Sequence, residues 1–80
     1  MDKHLGENHY KSRFVENRKD GFGSLRLART HSRTGEQLDV AQVTFWDAAG
    51  QFYFETFGES VPVVIVRELI TEAEEIVKTR

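Results

Sequence analysis

Polar and apolar residues alternate in four stretches between His9 and Phe57, and beyond Pro62 the apolar residues recur at helical spacing. A period of two marks half-buried strands, and a period near 3.6 marks an amphipathic helix. Four strands are predicted on this basis, at 9–17, 22–31, 37–46 and 51–57. The first is the weakest, resting on Tyr10 and Phe14 at one parity. Asp20-Gly21, Arg33-Thr34-Gly35 and Asp47-Ala48-Ala49-Gly50 separate the strands, each ending on a glycine able to take positive φ. Residues 1–8 carry charge without periodicity and are expected to form a flexible tail, leaving 9–80 as a single α+β domain.

The same pattern predicts registers, because a one-residue slip exchanges the two faces of a strand. A four-residue loop at 47–50 sets Trp46 opposite Gln51, Phe45 opposite Phe52 and Val43 opposite Phe54. One face then reads Ala41, Val43, Phe45, Phe52 and Phe54, and the other Gln42, Thr44, Trp46, Gln51, Tyr53 and Glu55. A three-residue loop at 33–35 pairs Leu25 with Val43, Leu27 with Ala41 and Arg29 with Asp39, adding a cross-strand ion pair. The register of the first strand is left open.

Residues 60–79 read as a helix with Val66, Leu69, Ile70, Ala73, Ile76 and Val77 on one stripe. Ser60 is a candidate cap, and Pro62 suits a first turn. Val63-Val64-Ile65-Val66 is β-branched throughout, which also suits a short strand at 61–66. The helix is the better reading, because Pro62 would interrupt a strand's hydrogen-bond ladder. The expected architecture is a four-stranded antiparallel β-meander followed by one C-terminal helix on its apolar face. Phe14, Leu25, Leu27, Val43, Phe45, Phe52 and Phe54 would face that helix.

Eighty residues with 39% apolar content and six Phe can build one small core. No apolar run is long enough to span a membrane, and the first residues lack the apolar stretch of a secretory leader. The absence of Cys removes disulfides and thiolate chemistry, and a cytoplasmic location is expected. The net charge of −2 conceals a polarity along the chain. Residues 1–34 hold Lys3, Lys11, Arg13, Arg18, Lys19, Arg26, Arg29 and Arg33, whereas the acids concentrate after residue 35. Such asymmetry fits either a nucleic-acid face or basic strands that complement an acidic helix. The second is the more economical reading.

Enzymatic chemistry is not expected. The chain has no Cys nucleophile, G-x-S-x-G, H-E-x-x-H or Walker-type loop, and Gly21-Phe22-Gly23 reads as a turn. Glu68, Glu72 and Glu75 read as a solvated helix face. His4, His9 and His31 are potential zinc ligands by type. Two of them fall in the expected tail and the third beside a loop, so neither a metal site nor a cofactor is expected.

In the chosen registers Phe22 faces Trp46 with Tyr53 diagonal to it, Arg26 and Thr44 lie close by, and Arg13 is a further candidate. Aromatic rings among guanidinium groups on an open sheet can hold single-stranded nucleic acid. In element order the chain resembles the PC4-like and Whirly single-stranded-DNA binders, which implies that kind of ligand by analogy. The same residue types are enriched where proteins meet. Val63, Val64 and Ile65 form a second candidate surface, for dimerisation. The expected function is a non-catalytic interaction or regulatory module, homodimeric or bound to a protein partner. A single-stranded nucleic-acid binder is the alternative.

Overall fold

A computed structural model describes residues 1–78. These form strands β1 (Asp2–Leu5), β2 (Asn8–Asn17), β3 (Phe22–His31), β4 (Gln37–Trp46) and β5 (Gln51–Thr56), then helix α1 (Val63–Lys78). The strands make one antiparallel sheet in chain order. The α+β class is as expected, with five strands where four were predicted.

The added strand comes from the expected tail. Leu5 pairs with Asn8 across a two-residue turn, and Gly6 sits at its first central position with φ of 62°. Glycine there closes a hairpin whose twist matches the flanking strands. β1 then pairs with β2, setting Lys3 opposite Tyr10 and His4 opposite His9.

Tyr10, Leu25, Leu27, Val40, Ala41 and Val43 meet Ile65, Leu69 and Ala73 of α1 in the core. Phe14, Phe52 and Phe54 share the parity of these residues yet remain 37%, 37% and 42% exposed, contrary to the core expected of them. Phe14 on β2 and Phe54 on β5 flank the buried Leu25 and Val43 in one cross-strand row, and the helix packs over β3 and β4. The helix therefore leaves part of the sheet's apolar face uncovered.

The last hairpin has the predicted register, with Trp46 opposite Gln51, Phe45 opposite Phe52 and Val43 opposite Phe54. In the preceding hairpin Leu25–Val43 and Leu27–Ala41 also pair as predicted, but the register shifts beyond Leu27. Its loop holds four residues rather than three. His31 N–H donates to Glu36 O and Gly35 N–H to His31 O, the arrangement Gly50 N–H and Trp46 O repeat at 47–50. Val40 becomes the extra residue of a bulge, so Asp39 lies opposite Ala28 and Arg29 opposite Leu38.

The predicted Arg29–Asp39 pair is thereby lost. Arg29 stays on the helix side and binds Glu59 at 2.6 Å, while Asp39 turns to the other side and binds Arg13 at 3.2 Å. The bulge lets Val40 and Ala41 both be fully buried. Burying a Val side chain is worth about 1.5–3 kcal/mol, against about 0–1 kcal/mol for an exposed ion pair.

Pro62 O accepts from Ile65 N–H and Val66 N–H, so the β-branched run is helical from Val63, as preferred. Ser60 lies before the first turn and does not occupy the cap position. Glu68 binds Lys3 at 2.5 Å, and Glu72 binds the Met1 amine at 2.7 Å and Ser12 Oγ at 2.9 Å. These two carboxylates, expected to be solvated, tie the helix to β1 and β2. Lys3 and the Met1 amine thus pair with the acidic helix, whereas Arg13 and Arg29 pair with Asp39 and Glu59 outside it.

Candidate functional site

The pairing registers sort every strand residue onto the helix side of the sheet or its open side. Arg13, Phe22, Arg26, Thr44, Trp46 and Tyr53 all fall on the open side, as expected. Phe22 and Trp46 are directly opposite, with ring centroids 4.9 Å apart. Beside them on the same face Ser24 and Thr44 are buried and share a hydroxyl hydrogen bond of 2.8 Å, so Thr44 is closed to a ligand. Trp46 and Tyr53 are 40% and 52% exposed.

The guanidinium groups on this side are engaged. Arg13 donates twice to the Asp39 carboxylate, at 3.2 and 3.3 Å. Arg26 donates to Gln42 Oε1, and Gln42 in turn donates to Glu55. Asp39 and Glu55 thus place two carboxylates among the two arginines, so the face is aromatic but not strongly cationic. Arg26, Gln37, Leu38, Asp39 and Phe57 also line an open depression where β5 ends.

On the helix side, Phe45 and Phe52 contact each other at 5.0 Å between centroids, with Phe14 and Phe54 at the same parity. Val63 and Val64 are exposed, but Ile65 is fully buried against the sheet. The expected dimer surface at the helix start therefore loses Ile65, which faces inward to the core.

The two sheet edges differ in kind. β1 is four residues long and carries Asp2 and Lys3, charges that discourage pairing with another strand. All six residues of β5 are exposed, and Glu55 is its sole charge. Phe57 N–H donates to Val40 O. Antiparallel alternation then turns the amides of Gln51, Tyr53 and Glu55 towards β4 and those of Phe52, Phe54 and Thr56 outwards.

No family model, curated protein or solved structure matches this chain. Among the described residues, no helix is long and apolar enough to cross a membrane.

One cluster was missed in the sequence. Asp2, His4 and His9 stand together on the open side of the β1–β2 hairpin, with one potential ligand atom from each within 4.8 Å of the others. Asp2 hydrogen-bonds His9, and the His4 and His9 rings stack at 4.1 Å. The bond from His9 holds the Asp2 carboxyl below the ordinary aspartate range, and the charges of His9, Lys11 and His4 act in the same direction. Recognising β1 as a strand was the missing step, and Gly6 within LGEN was its signal.

Proposed function

We propose that this chain is a non-catalytic interaction or regulatory module that acts by self-association through β5 and the adjoining phenylalanines. The edge strand carries this reading. It is exposed at every position and lacks the proline, lysine or bulge that blunts a free edge. Pairing with a second copy would satisfy the outward amides and shelter Phe52 and Phe54 at the sheet's edge. Aromatic side chains are also the residues enriched in interfaces.

Light scattering on the eluting peak of a sizing column tests the proposal. At micromolar concentration the expected mass is that of a dimer, and Phe54→Lys shifts it to the monomer while far-ultraviolet dichroism stays unchanged. A monomer across the whole soluble range overturns it.

A second reading has one favourable observation, the exposure of Trp46 and Tyr53 on a sheet surface. Single-stranded nucleic acid would stack on them, and Arg13 and Arg26 would have to leave their present partners for phosphates. Titration of Trp46 fluorescence with an unstructured oligonucleotide should then show quenching that weakens as salt rises. No quenching at low salt removes this alternative.

A further inference from the structure

We propose that Asp2, His4 and His9 form a binding site for a divalent transition metal of the zinc class, which fastens β1 to β2. The placement follows from the hairpin. Ser12 N–H donates to Met1 O, so Met1–Ser12 is a hydrogen-bonded pair and the alternation makes His4–His9 a non-hydrogen-bonded one. Side chains approach most closely across pairs of the second kind. Asp2 precedes His4 by two residues on the same strand and therefore shares its face, diagonal to His9. A two-residue turn fixes this geometry locally, without reliance on distant parts of the fold.

The donor set suits borderline metals. Imidazole nitrogen favours zinc, copper and nickel, and one carboxylate oxygen completes three protein ligands with a position left for water. Tetrahedral zinc with bonds of about 2.0–2.1 Å sets its ligand atoms roughly 3.3 Å apart. The three donors already lie within 4.8 Å, so side-chain rotation is sufficient to close the set. The Asp2–His9 hydrogen bond and the His4–His9 stack hold the donors together before the metal arrives. Asp2 and His4 are exposed and His9 is half-buried, giving the ion direct access. The Met1 amine is engaged with Glu72 and Ser12, so it is not a competing ligand.

A bound ion would cross-link β1 and β2 at their open side. On the helix side the same two strands carry Lys3 and Ser12, which hold Glu68 and Glu72. The metal would therefore stabilise the docking of the N-terminal hairpin on α1, independently of any self-association.

The test uses the full chain without a histidine tag, titrated with Zn²⁺ alone by calorimetry and followed by NMR of the imidazole protons. Expected are one ion per chain and shifts confined to His4 and His9. His4→Ala or His9→Ala should lower the affinity about tenfold or more, Asp2→Asn should lower it as well, and His31→Ala should leave it unchanged. The imidazole map of the unmutated chain decides the matter even if a variant folds poorly. Absence of binding, or shifts at His31 in place of His4 and His9, overturns the proposal.

Discussion

At the scale of single residues, the two four-residue loops show what one glycine contributes. Gly35 and Gly50 have φ of 72° and 63°, and a Cβ at either position would meet nothing within 4 Å. Their cost of substitution is conformational rather than steric. Gly35→Ala and Gly50→Ala should each lower stability by about 1–2 kcal/mol, read from the urea midpoint with an unchanged slope. Both loop glycines were legible, since turn chemistry is local. The Arg29–Asp39 pair was misread because a three-residue loop was assumed at 33–35, whereas the loop has four residues and the bulge at the buried Val40 takes up the difference. Asp2 provides a second residue-level prediction. Its folded carboxyl is held below the ordinary range, so its contribution to stability is complete above the unfolded-state value and disappears as pH falls through the folded one. An NMR titration should place its midpoint below that of an ordinary aspartate, and His9→Ala should raise it.

Whole elements were legible where their period was long enough to register. Ten residues of alternation in β3 and β4 announced themselves, as did the helical stripe through Leu69 and Ala73. β1 did not, because four residues give two alternations and the inward side carries Lys3, whose ammonium reaches Glu68 instead of the core. The helix start was read as helical, but its valines and isoleucine were grouped as one surface. The helix turns Ile65 inward at 0% exposure and leaves Val64 at 46%. Ile65→Ala should therefore cost about 2–5 kcal/mol, and Val64→Ala should stay within about 0.5 kcal/mol. Chemical denaturation of the two variants side by side checks this, and equal costs would contradict the assigned helix face.

On the scale of the whole molecule, the chain is longer than its size requires. Its radius of gyration is 12.9 Å and its extents are 41 × 20 × 19 Å. A compact domain of this length would have a radius near 11.6 Å, estimated roughly from the usual scaling. The sheet is wider than its helix covers, and part of the uncovered face adjoins the open β5 edge. The sequence showed the phenylalanines but not which of them the helix would reach, because burial depends on which strands the helix crosses.

If two copies join along β5 about a two-fold axis, the side chains select the register. Setting Tyr53 opposite the partner's Tyr53 places Phe52 opposite the partner's Phe54, and Gln51 opposite the partner's Glu55. A slide of four residues brings Glu55 against the partner's Glu55, a like-charge pair that opposes association. In the favoured register the outward amides of Phe52 and Phe54 enter the new ladder, whereas Tyr53 already donates towards β4. Hydrogen exchange at Phe52 and Phe54 should therefore slow as protein concentration rises, with Tyr53 nearly unaffected. If both amides still exchange freely where scattering reports a dimer, the copies meet through the phenylalanine face and not through the strand edge.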